Sequence, residues 1–259
     1  NSSNGGLPSA NGTELMRIDS SGNVGIGVTP ETWQDVYKMI DVNTASSFGG
    51  HSSRFTYMAN NWYVDASGNH KYKNAGHASR YYQGSDGTHH FHVAPSGSAD
   101  ASLSLVNVMS IDNAGRVTMP SQPFFRVGHT TSASYVNNAT VVFAGLEYDR
   151  GNDYNNTTGV FTAPVSGAYT FSMTIRFENS PAYNSWMRPQ FYLNGAHSEF
   201  LGGDPIMSTA DASKSYTSKS QTFNTNLSAN DTMYVKVLNN SASAMTIGQS
   251  SAWSGYLIG

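Results

Sequence analysis

Residues 16–24 read MRIDSSGNV and residues 109–117 read MSIDNAGRV. Met, Ile, Asp, Gly and Val recur in the same order, and the two starts lie 109 − 16 = 93 residues apart. Met16 and Ile18 alternate with Arg17, which is strand spacing. Asp19-Ser20-Ser21-Gly22 is a turn signature, because Asp accepts backbone N–H groups at the first position and Gly tolerates positive φ at the fourth. Val24 and Ile26 then begin a return strand, and Asp112-Asn113-Ala114-Gly115 repeats the arrangement. Each phrase therefore predicts a small β-hairpin used as a module.

The segments between the two copies keep to the same period. Phe55/Tyr57, Trp62/Val64, Phe91/Val93, Leu103/Leu105 and Met109/Ile111 alternate as strands do, with turns such as Ser67-Gly68-Asn69 and Ser85-Asp86-Gly87 between them. No long apolar run marks a self-contained core here. Small β units that cannot cover their own apolar face rely on copies of themselves, so residues 14–120 predict a β-rich stalk in which several chains wrap together. One exception to the strand pattern is expected. Thr29-Pro30-Glu31 is a helix-start signal, and Trp33, Val36, Tyr37 and Ile40 follow at helical spacing, which predicts a short helix over 30–40.

Composition narrows the function. Charged residues make up 12% of the chain, about half the usual share of roughly 25%. The 15 Tyr, 12 Phe and 25 Gly favour strands joined by tight turns. The net charge is −3 and no basic run occurs, which argues against nucleic acid as a partner. Without cysteine, disulfides, thiol catalysis and zinc–thiolate sites are excluded. No apolar stretch approaches 18 residues, so membrane insertion by a helix is not expected. The chain opens on Asn1-Ser2-Ser3-Asn4-Gly5-Gly6 without Met, and residues 1–13 are expected to be the flexible end of a fragment cut from a longer protein.

Met119-Pro120-Ser121-Gln122-Pro123 marks a boundary. Beyond it, many short strands separated by polar turns predict an all-β sandwich. The stretch YNNTTGVFTAPVSGAYTFSM (154–173) carries Tyr154, Gly159, Phe161, Pro164, Gly167, Tyr169 and Phe171, followed by FYLNG (191–195), LSANDTMYVKV (227–237) and WSGYLIG (253–259). In this combination residues 124–259 resemble the jelly-roll superfamily of tumour necrosis factor and the globular heads of complement proteins. The resemblance implies a β-sandwich head and a homotrimer packed around a threefold axis. Asn230 stands where the family often has Gly, a change that Asn's tolerance of positive φ accommodates. Ala163 stands where vertebrate members often carry Cys, which points to a bacterial or viral branch.

IDSSGNVGIGVTPETW and VAPSGSADASLSLVNVMSIDNAGRV resemble repeated segments of bacteriophage tail fibres. That implies a trimeric stalk ending in a receptor-binding head, joined to an upstream part of the fibre, on a virion outside the cell. A bacterial trimeric adhesin, the tip of a contractile-injection fibre and a structural trimerisation cap share this architecture. The expected partner is a host-cell surface glycan or protein.

Two head segments interrupt the strand pattern, Asn179 to Pro189 and Gly195 to Tyr216. They carry Tyr183, Trp186, His197, Phe200 and Tyr216, the candidate receptor-binding residues, because exposed aromatics present large rigid area at low entropy cost. Trp253 and Tyr256 fit core or subunit interface better, and Phe161, Tyr169 and Phe171 are core by alternation.

No cofactor is expected. For a structural metal ion the candidates are His90 and His92, which share a strand face across Phe91, and the oxygen-rich loop of Asp149, Asn152 and Asp153. GNVGIG (22–27) has G-x-x-G-x-G spacing, unlike a dinucleotide loop. Catalysis is disfavoured: only five Glu are present, most Asp occupy turns, and no G-x-S-x-G elbow occurs.

Overall fold

The computed structural model describes residues 7–8, 14–178, 186–197, 206–207, 216–240 and 244–259. It divides into two compact units, 1–120 and 121–259. Every regular element among the described residues is a strand.

The first unit contains β1 (Leu7–Pro8), β2 (Glu14–Ile18), β3 (Val24–Ile26), β4 (Tyr37–Val42), β5 (Ser46–His51) and β6 (Phe55–Asn60). It continues with β7 (Tyr63–Val64), β8 (His70–Lys71), β9 (Gly76–Gln83), β10 (His89–Gly97), β11 (Val106–Ile111) and β12 (Val117–Thr118). Ten of them form one sheet in the order β1-β2-β3-β4-β5-β6-β9-β10-β11-β12, with β7 and β8 paired apart. Among the described residues of this sheet, only β3 and β4 run parallel.

The repeated phrase forms hairpins β2–β3 and β11–β12. In both, Asp Oδ1 accepts two backbone N–H groups, from Ser21 and Asn23 in the first and from Ala114 and Arg116 in the second. The turn occurs a third time. Asp65 Oδ1 accepts the N–H groups of Ser67 and Asn69 between β7 and β8, and Asp19, Asp65 and Asp112 are spaced 46 and 47 residues apart (65 − 19, 112 − 65). Gly22, Gly68 and Gly115 each take φ between 82 and 85°, the left-handed conformation that this turn requires.

The helix expected over 30–40 is absent. Residues 31–34 have no regular structure and Tyr37–Val42 is a strand. Period two wins here: Tyr37, Met39 and Asp41 are buried while Lys38, Ile40 and Val42 are exposed. Asp41 Oδ2 accepts both the Glu31 N–H and Trp33 Nε1–H, which fixes the preceding segment as a bracket across the strand. Tertiary pairing of β4 with β3 and β5 outweighs the local capping signal.

Nor does this unit lack a core of its own. Trp33, Tyr37, Met39, Tyr57, Trp62, Tyr63, Tyr72 and Leu103 are buried together on one face of the large sheet. Each comes from a different short segment or from alternate strand positions, so no apolar run announces them. Trp33 and Trp62 meet edge to face at 5.5 Å, and Tyr57 lies 5.3 Å from Trp62.

The second unit is a sandwich. One sheet has β13 (Phe124–Gly128), β14 (Ala133–Tyr135), β16 (Gly145–Arg150), β19 (Gly167–Phe177), β23 (Thr217–Leu227), β25 (Met245–Ile247) and β26 (Ala252–Leu257). The other has β15 (Ala139–Thr140), β17 (Tyr154–Asn155), β18 (Val160–Thr162), β20 (Trp186–Leu193), β21 (Ala196–His197), β22 (Ile206–Met207) and β24 (Thr232–Asn239). Strict alternation supplies the core, since every second residue of β19 and β24 is buried. Phe125, Phe143, Phe161, Tyr169, Phe171, Phe191 and Trp253 fill it. Asn230 adopts φ +73°, which explains why a side chain other than Gly is accepted in that turn.

Trp186 to Pro189 belong to β20 rather than to an interruption. Proline lacks the N–H that a strand interior needs, but β22 pairs at Trp186–Met187 and β21 at Tyr192–Leu193. Pro189 pairs with Val237 of β24 on one side and falls in the gap between β22 and β21 on the other.

Candidate functional site

Phe177 ends β19 and pairs with Thr217, the Glu178 N–H donates to the Thr246 carbonyl, and the Trp186 N–H at the start of β20 donates to Asn240 Oδ1, six positions before Thr246 (246 − 240). Arg176 and Tyr216, and Trp186 and Arg188, therefore lie at the same end of the sandwich. The Arg176 guanidinium lies 4.5 Å from the Tyr216 ring, and the Arg188 guanidinium lies 5.0 Å from the Trp186 ring. Both distances fall within cation–π range. Arg176 Nη1–H donates to Ser250 Oγ at 3.2 Å, and the Trp186 backbone N–H donates to Asn240 Oδ1 at 2.7 Å. Tyr216 is 55% exposed and Trp186 half-buried, so each presents ring area to solvent while its cation holds it in place.

His197 is not part of this group. It pairs with Tyr192 at the opposite end of β20, six residues from Trp186 and about 20 Å along a strand. There its ring nitrogens meet Gln190 Nε2 at 3.0 Å and the Phe191 carbonyl at 3.2 Å. An imidazole protonated on Nδ1 satisfies both: Nδ1–H donates to the carbonyl and Nε2 accepts from the amide. Tyr192 stacks on Tyr234 at 5.7 Å, with Lys236 Nζ 4.9 Å from the Tyr192 ring. Tyr183 and Phe200 lie outside the described residues.

Sequence reading missed Arg176, Arg188, Tyr192 and Tyr234. For Arg188 and Tyr192 a signal existed: inward Met187 and Phe191 imply that Arg188 and Tyr192 point outward. Arg176 and Tyr216 are 40 residues apart and no local pattern joins them (216 − 176).

The metal candidates have defined surroundings. His90 and His92 stack on Tyr82 at 4.6 and 5.4 Å, on the sheet face that carries the aromatic core. Burial, with Arg80 and His90 adding positive charge, holds the His92 imidazole down at about 4. The Asp149 carboxylate is spent on backbone, accepting the N–H groups of Asp153 and Tyr154 at 3.1 Å each. Burial and then the Asp149 charge push Asp153 up to about 6. Among the described residues, no three His, Asp or Glu side chains converge as a metal-binding group.

Residues 124–258 match the family model of the C1q domain, and the chain belongs to that family. It is similar to the globular domain of a zebrafish complement 1qA protein, with 16% identity over 53% of this chain and 98% of the other and a TM-score of 0.39. Murine APRIL aligns with 12% identity over 53% and 99% of the two chains, with a TM-score of 0.37. The Eiger TNF of S. frugiperda aligns with 14% identity over 53% and 94%, with a TM-score of 0.38. No curated protein matches the sequence. Among the described residues, no helix is long and apolar enough to cross a membrane.

Proposed function

We propose that this chain is the receptor-binding end of a homotrimeric extracellular fibre of the bacteriophage tail-fibre type. Its C1q-family head attaches to a glycan or protein on the host-cell surface, without covalent chemistry. The observation that carries this reading is the pairing of Trp186 with Arg188 and of Tyr216 with Arg176 at one end of the head. Aromatic faces stack on the apolar faces of sugar rings or anchor protein contacts, and guanidinium groups bind hydroxyl or carboxylate oxygens in a fixed fork. The repeated hairpin turns upstream fit a stalk built from modules, and several heads on one particle multiply a modest single-site affinity.

The test is binding of fluorescently labelled native protein to a panel of bacterial cells, with heat-unfolded protein as control. Selective labelling of one or a few strains, reduced about tenfold or more by Trp186→Ala or Tyr216→Ala, supports the reading. Labelling unchanged in both variants moves the binding surface elsewhere. Uniform absence of binding by native oligomer favours a structural cap.

A further inference from the structure

One face of the ten-stranded sheet packs the aromatic core; the other carries large apolar side chains in water. Strand registers align Ile18, Val24, Ile40, Phe48, Met58, Tyr81, Phe91 and Met109 as one row across eight strands. Met58 is 61% exposed and Phe48 49%. The next row, two residues along each strand and three along β11, where a bulge shifts the register, runs Met16, Ile26, Val42, Ser46, Asn60, Ser79, Val93 and Val106. Neither row contains a charge.

These rows differ in height. Phe48, Met58, Tyr81 and Phe91 form a ridge, while the shorter Ser46, Asn60 and Ser79 leave a groove of about 590 Å³, closed at its ends by Val42 and Val93. Ridge and groove run side by side across the same strands. We infer that this face is covered by a second copy of the chain, the ridge of one copy lying in the groove of the next. In a ring of copies each gives its ridge to one neighbour and its groove to the other, a head-to-tail contact that closes without a free face.

Three features select a second copy over a different partner. Ridge and groove lie side by side on the same face, so each copy can offer both halves of the contact. The absence of charge in both rows gives no electrostatic means to choose a foreign partner. Ten large apolar side chains of the two rows are exposed, and neighbouring strands place them side by side, a contiguous patch of the kind that marks an interaction surface rather than the free surface of a monomer. The inference rests on the oligomer proposed above, but assigns it a surface in the first unit, independent of the head.

Because the chain has no cysteine, single-cysteine variants of the full protein report on this face directly. Met58→Cys is compared with Ser85→Cys in the exposed turn between β9 and β10. Expected results are an oligomer by native mass, maleimide labelling at position 58 roughly tenfold or more slower than at position 85, and equal rates in denaturant. Phe48→Asp should restore fast labelling at position 58. Equal native rates at 58 and 85 in a protein that remains oligomeric overturn the inference while leaving the head-mediated assembly standing. Protection in a monomer, or a bound apolar molecule in the native mass, assigns the face to another occupant and also overturns it.

Discussion

Lys73 Nζ lies 2.6 Å from Asp41 Oδ1, and both side chains are almost wholly buried, at 2% and 1% exposure. Asp41 Oδ1 also accepts the Ser47 hydroxyl, and Oδ2 accepts Trp33 Nε1–H and the Glu31 N–H. One carboxylate thus ties the bracket segment, β4, β5 and the segment after β8 into a single unit. Its four acceptor positions are all in use, the condition under which a buried charge is tolerated. Lys73→Met leaves that carboxylate without its counter-charge and is expected to lose about 3–5 kcal/mol of stability in the first unit. Asp41→Asn combined with Lys73→Met should recover part of the loss, because the amide carries no charge and its oxygen still accepts from the neighbouring donors. Denaturant unfolding followed by tryptophan fluorescence measures both, and a loss below about 0.5 kcal/mol for Lys73→Met would show the pair to be solvated.

Acid should weaken the first unit before its carboxylates titrate. His92 is held at about 4, chiefly by burial and secondarily by Arg80, against about 6.5 in an unfolded chain. Between those values the unfolded chain binds the proton that the folded one refuses. The contribution is therefore complete above pH 6.5 and is lost as pH falls toward 4. Burial lowers His70 in the same direction. Unfolding midpoints at pH 7 and pH 5 should differ in the parent protein and differ less in His92→Gln. An identical difference in both would contradict the assignment.

Asp153 predicts the opposite slope in the head. Its carboxyl is raised to about 6, first by burial and then by Asp149, so the folded state holds a proton that the unfolded chain releases above about 3.8. Stability from this group is full below 3.8 and lost as pH rises through 6. Asp153→Asn should stabilise the head at pH 7.5 by on the order of 1 kcal/mol after solvent screening, and change nothing at pH 3.5. Calorimetry of the head transition at the two pH values checks it; a gain at pH 3.5 as large as at pH 7.5 would refute it.

Gly255 is a glycine for reasons of space. A Cβ there would come within 2.6 Å of the Phe171 ring and 2.7 Å of the Phe125 ring, both wholly buried. Gly255→Ala should cost about 1–3 kcal/mol through displaced core rings. Phe171→Ala should cost about 3–5 kcal/mol by leaving a cavity. Thermal unfolding measures both, and an unchanged midpoint in Gly255→Ala would mean that this core is looser than its ring packing indicates.

What could be read in the sequence was local. Turn chemistry at Asp19 and Asp112 and period-two alternation along β19 and β24 need only neighbouring residues, and they led to hairpins and a sandwich. The third turn was legible as a turn at Ser67-Gly68-Asn69, but of the five recurring residues it keeps only Asp65 and Gly68, so its kinship with the other two was hidden. Thr29-Pro30-Glu31 misled because a helix start is a local signal, whereas β4 is held by parallel pairing and by the Asp41 bonds. The core of the first unit was hidden because Trp33, Trp62 and Tyr72 arrive singly from separate segments. Lys73 finds Asp41 across 32 positions, a distance over which composition and periodicity carry no information.

The fibre, the shared sheet face and the multivalent head all require several copies of this chain acting together, and native mass spectrometry of the full chain tests that most directly. The predicted result is a single species of 83.7 kDa, three times 27.9 kDa. A dominant species at 27.9 kDa, under conditions where both units are folded, would contradict the fibre, the shared sheet face and the multivalent head at once.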